Sequence, residues 1–162
     1  MAITLQPGDA APEFTLPDQN DTPHTLSEYR GGWVVLFFYP KDDTPGCTRE
    51  ACSFRDRHDE LRELGATVIG ISVDPVARHA RFVSKYALPF TLLSDVDKEV
   101  VRAYGVWGEK RFMGRIFDGS HRVSFLIDPE GRIARVYAKV KPDLHTGEVI
   151  ADLVALGAER VA

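Results

Sequence analysis

Short apolar segments alternate with amphipathic segments along this chain, and this alternation limits the possible folds more than any other feature. The segments WVVLFFY (33–39) and ATVIGISVD (66–74) are short, apolar and rich in β-branched or aromatic residues, which predicts buried strands. Helical patterns follow them over about 44–64 and over 75–87, where Pro75 suits the first turn. Strands that alternate with helices predict an α/β sheet with helices on its faces.

The remainder of the chain extends this pattern and makes the sheet mixed. We predict a small hairpin or loop at 13–26, a strand at 90–95, a helix at 95–105 that Gly105 closes, an antiparallel pair at 122–128 and 132–139, and a final helix at 145–157. Residues 107–121 show no clear period and are predicted to form an excursion loop. We therefore expect one α/β domain over 1–162, with a mixed central β-sheet flanked by helices.

Composition excludes several classes of function. The chain has 162 residues and a net charge of −4, and it shows no basic stripe, so we expect no nucleic-acid partner. The longest apolar run, WVVLFFY, is far shorter than the ~20 residues that span a bilayer. The first residues lack the basic start and apolar segment of a signal peptide. We therefore expect a cytoplasmic protein with no membrane partner.

The chain has two cysteines, Cys47 and Cys52. In a reducing compartment, paired cysteines are more often catalytic or metal-binding than a structural bridge. A zinc site needs four ligands at tight spacings, and the five histidines form no such cluster. The spacing C-x-x-x-x-C also differs from the C-x-x-C of thioredoxin-type motifs. Two inert, buried thiols remain an alternative, and no metal or organic cofactor is expected.

The residues before Cys47 predict a helix start. Thr44 is a good N-cap residue and Pro45 suits the first helical position, so Cys47 takes the third. Amide groups there lack intrahelical partners, and the helix dipole favours a thiolate. Cys47 is therefore suited to act as a nucleophile.

The five-residue spacing separates the two thiols on such a helix. Cys47, Ala51, Phe54, His58 and Leu61 recur along one helical face, and Cys52 lies off this face. The two Cα atoms would be more than ~8 Å apart, whereas a disulfide needs less than ~7 Å. Any bond between the two sulfurs would therefore require the first turns to unwind.

The segment FFYPKDDTPGCTREAC (37–52) resembles the peroxiredoxins, and most closely the bacterioferritin comigratory protein group, also called Q-type peroxiredoxins. The hallmark Pro-x-x-x-Thr-x-x-Cys corresponds to Pro40, Thr44 and Cys47. The similarity continues through 72–95, 103–115 and 122–133, so it covers nearly the whole chain.

This resemblance implies a thioredoxin-like fold and the reduction of hydrogen peroxide and organic hydroperoxides by electrons from thioredoxin or a similar dithiol protein. By position, Cys47 would be the peroxidatic thiolate and Cys52 the resolving thiol, which together form an intramolecular disulfide. Thr44 would orient the peroxide, Arg122 would be the active-site arginine, and Pro40 would shield the pocket. The group is often monomeric, so we expect a monomer.

Structural alternatives exist for most of these residues. Arg122 could form only a strand-end salt bridge, Thr44 could be only a helix cap, and Pro40 could simply end the strand. Arg49 is expected to be solvated or to face a partner, and His58 to serve in packing or at the surface. Two other functions remain open, namely a thiol–disulfide oxidoreductase or redox sensor that acts on protein disulfides, and a non-enzymatic holdase or binding module.

Overall fold

A computed structural model describes residues 3–159, and strands alternate with helices between residues 33 and 103. The strands are β1 (Thr15–Pro17), β2 (Pro23–Thr25), β3 (Trp33–Phe38), β4 (Ala66–Ser72), β5 (Thr91–Ser94), β6 (Trp107–Phe112), β7 (Arg115–Ser120), β8 (Val123–Ile127) and β9 (Ile133–Tyr137). The helices are α1 (Pro45–Asp56), α2 (His58–Glu63), α3 (Val76–Tyr86), α4 (Glu99–Ala103) and α5 (His145–Ala155), with a 3-10 helix at Leu26–Tyr29.

Five strands form the central sheet, in the order β5-β4-β3-β8-β9. Strands β3, β4 and β5 run parallel, while β8 pairs antiparallel with β3 and β9 antiparallel with β8. The predicted mixed sheet and the predicted pairing of 122–128 with 132–139 are thus confirmed. The register pairs Phe38 with Val123, so the residue before β8 lies beside the end of β3, where the chain turns toward α1.

Strand β3 is buried on both faces and separates two apolar clusters. Val35 and Phe37 pack with side chains of α1, α2, α3 and α5 on one face. Leu36 and Phe38 pack with side chains of α4 and of the N-terminal segment on the other. Burial on both faces explains why 33–39 reads as an unbroken apolar run. None of the described helices has the length and apolar character needed to cross a bilayer.

The single helix predicted over 44–64 is two helices. Arg57, with φ −116° and ψ 19°, leaves the helical conformation and separates α1 from α2. His58 therefore leaves the predicted stripe, is half-buried, and packs against the ring of Phe90. No glycine or proline marks the break, so the sequence contained no local signal for it. The helix predicted over 95–105 is also shorter, because Lys98 adopts a positive φ of 63° just before α4.

The predicted loop over 107–121 is wrong, because this segment is a β-hairpin. Strands β6 and β7 pair antiparallel from Trp107 with Ser120 to Phe112 with Arg115. Met113 and Gly114 form the turn, both with positive φ (50° and 77°), as tight two-residue hairpins require. Most hairpin residues are at least partly exposed on both faces, so no apolar stripe marked the strands in the sequence.

Candidate active site

Cys47 lies in the first turn of α1, as predicted, and its side chain points into the protein. Its relative exposure is 1%. Because β3 ends immediately before the loop that leads to α1, the thiol lies near the carboxyl end of the central strand. Pro45 occupies the first helical position, and Thr44 precedes it in an extended conformation. Cys47 therefore belongs to the turn whose backbone amides have no partner within the helix.

Arg122 reaches this sulfur from the opposite side of the site. Its Nη2 donates a hydrogen bond to the Cys47 Sγ over 3.3 Å. Gly46 leaves room for this approach, since a Cβ at that position would lie 3.0 Å from Arg122 Nη2. Burial alone would lower the pKa of the guanidinium, but Glu50 and Cys47 raise it, so Arg122 keeps its charge. A permanent cation thus faces a buried thiol.

Glu50 fixes the other side of the guanidinium. Arg122 Nη1 donates to Glu50 Oε1 over 2.8 Å, and Glu50 is fully buried. Burial raises the pKa of Glu50 to about 7, and Arg122 limits that rise. The second oxygen, Oε2, is buried without a hydrogen-bond partner among the described residues. Glu50 therefore orients Arg122 and carries a proton that it can lose near neutral pH.

Thr44 and Pro40 lie on the loop between β3 and α1. Thr44 takes the predicted N-cap position, but its hydroxyl makes no bond to the helix amides. Instead, Thr44 Oγ1 donates to the carbonyl of Lys41 over 2.8 Å, which tightens the loop. Pro40 is partly buried just after the end of β3. The expected side-chain cap is thus replaced by a bond within the loop.

Cys52 occupies the same helix but a different environment. It is half-buried beside a shallow depression that Arg49, Ser53 and Asp143 help to line. Burial raises the pKa of its thiol, which Arg55 partly offsets. Both cysteines are free thiols. Since they belong to one intact helix, their Cα atoms are too far apart for a disulfide, as the spacing predicted.

A model of the AhpC/TSA family matches residues 7–136. The chain belongs to the AhpC/TSA family. Among curated relatives, Peroxiredoxin Bcp of Escherichia coli (strain K12) is 49% identical over 146 residues, which is 90% of this chain and 94% of that protein. Peroxiredoxin Bcp of Bacillus subtilis is 42% identical over 151 residues, or 93% and 96% of the two chains.

Solved peroxiredoxin structures support the same family assignment. Peroxidoxin BcpB from Mycobacterium tuberculosis is 38% identical, with a TM-score of 0.83 over 94% of this chain and 98% of that chain. Peroxiredoxin Q from Xanthomonas campestris is 37% identical, with a TM-score of 0.85 over 94% and 97%. The thioredoxin-like fold and the resemblance to Q-type peroxiredoxins are thereby confirmed, and the chain is a thiol peroxidase.

Behind the peroxiredoxin site lies a buried polar network that sequence reasoning missed. Asp42, in the loop between β3 and α1, accepts a hydrogen bond from Tyr39 Oη over 2.6 Å. Its other oxygen bonds to His79 Nδ1 over 2.6 Å, and its backbone amide donates to Asp74 over 2.9 Å. Asp42 and His79 are fully buried. This network anchors the loop that leads into α1.

Asp42, Asp74 and His79 are the group of potential metal ligands found among the described residues. Their ligand atoms are already engaged in hydrogen bonds. His79 Nε2 donates to the Leu93 carbonyl over 2.9 Å, and Asp74 Oδ2 accepts from Ser72 Oγ over 2.6 Å. We therefore interpret the group as a structural support for the active-site loop.

The structure brings together Cys47 and Arg122, and it keeps Cys52 apart. Arg49 is exposed and paired with Asp143 over 3.3 Å, as expected of a solvated residue. Glu50 is the residue of the site that sequence reasoning missed. It lies three positions after Cys47, and thus on the buried helical face, where a carboxylate is unusual. That mismatch between charge and predicted burial was the signal that could have revealed it.

Proposed function

We propose that Cys47 is the peroxidatic cysteine of this thiol peroxidase and that Arg122 is its activating cation. The observation that carries the proposal is the 3.3 Å hydrogen bond from Arg122 Nη2 to the buried Cys47 Sγ. The guanidinium and the amides of the helix start stabilise the thiolate. The thiolate attacks one peroxide oxygen, the O–O bond breaks, and the other oxygen leaves as an alcohol or water after taking a proton. The product at Cys47 is a sulfenic acid.

Thr44 and Pro40 complete the proposed pocket. The Thr44 hydroxyl donates to Lys41, so its lone pairs can accept a hydrogen bond from the bound peroxide. Arg122 and the helix amides stabilise the charge that develops on the leaving oxygen. Pro40 lies on the same loop and lacks an N–H, so it limits water contact without competing for the substrate.

Cys52 is the proposed resolving thiol. It condenses with the Cys47 sulfenic acid to form the Cys47–Cys52 disulfide with release of water. This step requires the first turns of α1 to unwind, because an intact helix separates the two sulfurs. Thioredoxin or a similar dithiol protein then restores both thiols by exchange.

The remaining assignments complete the proposal. We assign residues 1–162 to a single thioredoxin-like domain, since the clusters on both sheet faces share β3. We propose a monomer, because the Q-type group that the chain resembles is often monomeric. With a net charge of −4, no nucleic-acid partner is proposed. A cycle that needs continual thiol reduction suits the cytoplasm, with the domain free of the membrane.

A peroxide-decay assay with thiol counting by mass tests the proposal. Cys47→Ser is expected to abolish peroxide consumption. Cys52→Ser, the same substitution five residues on, serves as the matched control: it should keep the first turnover but stall thioredoxin-dependent cycling by roughly tenfold or more. If Cys47→Ser consumed peroxide as fast as the unchanged protein, Cys47 would not be the nucleophile. Reduction of insulin disulfides without peroxide consumption would instead favour a disulfide oxidoreductase.

A further inference from the structure

The last residues of α3 contact both ends of the helix that carries the two cysteines. Tyr86 Oη donates to Asp43 Oδ1 over 2.7 Å, next to the start of α1. Arg55 Nη1, in the last turn of α1, donates to the backbone carbonyl of Tyr86 over 2.7 Å. Lys85 Nζ binds the second oxygen of Asp43 over 2.8 Å. We call these four residues, Asp43, Arg55, Lys85 and Tyr86, the α3 clamp.

The clamp brackets the two reacting thiols. Asp43 lies four residues before Cys47, and Arg55 lies three residues after Cys52. The segment between these contacts must change shape if the sulfurs are to meet. Both contacts lead to α3, and the Thr44 hydroxyl caps no amide of α1. External contacts therefore contribute to keeping the first turns of α1 wound.

The N-terminal contact of the clamp can open readily. Asp43 has a φ of 59°, a left-handed conformation that aspartate tolerates better than most residues but less well than glycine. Its ion pair with Lys85 is at the surface, with side chains 37% and 58% exposed. An open groove of about 660 Å³ runs beside it. Release of Asp43 would relieve the backbone conformation and expose no buried charge.

Asp42, the residue before Asp43, is firmly held in the interior. Asp42 is fully buried and bonded to Tyr39 and His79. Its release would leave polar groups unpaired in the interior, which is costly. Unwinding therefore has a defined boundary, with Asp42 held in place and the chain free to move from Asp43 onward.

We propose that Asp43, Lys85 and Tyr86 are positioning residues that keep α1 wound while Cys47 reacts with peroxide, and that their release sets the rate of disulfide formation. This inference rests on the proposed Cys47–Cys52 disulfide. In the step concerned, the Cys52 thiol attacks the sulfur of the Cys47 sulfenic acid, the S–O bond breaks, an S–S bond forms and one water leaves. Arg55 anchors the far end of the helix.

The clamp also decides between two fates of the sulfenic acid. While α1 remains wound, a second peroxide can oxidise the Cys47 sulfenate to a sulfinate, with loss of one water or alcohol. Once α1 unwinds, Cys52 captures the sulfur. A tighter clamp therefore predicts more over-oxidation at a given peroxide concentration, and a looser clamp predicts less.

Stopped-flow single turnovers of the full chain test the inference through Tyr86→Phe and Lys85→Met. Tyr86→Phe removes the bond to Asp43 and keeps the ring. We expect disulfide formation to become about fivefold faster, as for loss of a modest hydrogen bond, with an unchanged peroxide step. The sulfinate fraction, measured by mass at high peroxide, should fall correspondingly. Tyr29→Phe is the matched control, because Tyr29 Oη bonds His24 over 2.6 Å, away from α1, and should change neither quantity.

Salt provides a second measurement that needs no variant. At about 1 M NaCl the screening length falls to about 3 Å, so disulfide formation should speed up in the unchanged protein and respond less in Lys85→Met. Unchanged or slower disulfide formation in both clamp variants would overturn the inference while leaving the disulfide itself in place. Absence of the Cys47–Cys52 disulfide in the unchanged protein would instead overturn the proposed function.

Discussion

Cys47 and Cys52 belong to one helix and lie five residues apart, yet the protein surrounds them with opposite environments. Cys47 is fully buried and accepts a hydrogen bond from the Arg122 guanidinium. Cys52 is half-buried beside a surface depression, and burial raises the pKa of its thiol. The comparison shows that helical rotation directs two identical side chains toward different parts of the fold, and that the groups they meet there give them different chemistry.

The difference depends on a contact that is distant in sequence. Arg122 lies 75 residues after Cys47 and reaches it because β8 pairs with β3. Among residues 3–159, the charged groups that act on Cys52 are Arg55 and Asp56 of the same helix. Removing Arg122 should therefore make the reactivity of Cys47 more like that of Cys52. Displacing the Arg122 guanidinium should reduce the difference in reactivity in part.

The largest effect is expected from Arg122→Met. The second-order rate constant for peroxide reduction should fall by about 10²–10³-fold, as for loss of a preorganised donor that stabilises developing charge. Stopped-flow measurement of Cys47 oxidation gives this rate. Arg49→Met is the matched control, since Arg49 lies on the same helix but is exposed, and its rate should remain unchanged. Equal losses in both variants would show that the arginine contact has no special role.

A smaller effect is expected from Glu50→Gln, measured through the pH dependence of stability. The pKa of Glu50 is raised in the folded protein from 4.5 to about 7. The stabilisation linked to its proton is therefore complete below pH 4.5 and is lost as the pH rises through 7. Between these pH values the free energy of unfolding of the unchanged protein should fall by roughly 2–3 kcal/mol, and that of Glu50→Gln should not show this fall.

Urea unfolding at pH 5 and pH 8 measures that difference. Glu148→Gln is a suitable control, since Glu148 also pairs with a neighbouring side chain but is exposed. Parallel pH profiles for Glu50→Gln and the unchanged protein would mean that Glu50 does not titrate in this range.

The smallest effect is expected from Gly46→Ala. The new Cβ would lie 3.0 Å from Arg122 Nη2, so the guanidinium must shift by a few tenths of an ångström. We expect the peroxide rate to fall roughly three- to tenfold, because catalysis is sensitive to small misplacements. The free energy of unfolding should stay the same or rise slightly, since alanine has a higher helix propensity than glycine. Gly147→Ala is the matched control. Its new Cβ would lie 3.2 Å from Arg57 Nη1, away from the active site, and the peroxide rate should remain unchanged.

Much of the fold was predictable because buried strands and amphipathic helices leave local patterns. The strands at 33–39 and 66–74, the start of α1 at Pro45 and the C-terminal helix all follow from such patterns. The hairpin at 107–121 was missed because exposed strands carry no apolar stripe. The break at Arg57 was missed because no residue there disfavours a helix.

The features of the active site also divide into those that local sequence predicts and those that depend on contacts between distant residues. The position of Cys47 at a helix start and its separation from Cys52 follow from the order of residues along one helix. Arg122 became a candidate through its match to a known motif, but its distance from Cys47 could not be read from the chain. Asp42 was missed because its burial depends on what packs over it, whereas Glu50 could have been found from its place on the predicted buried face of the helix.

The amino-acid sequence by itself determined which groups can react and how far apart they lie along the helix, because helical geometry is local and nearly invariant. Only the tertiary structure decided which thiol meets the guanidinium, which carboxylate holds it, and which contacts keep the helix wound. Those outcomes depend on strand pairing and helix packing between residues distant along the chain, which no local pattern encodes.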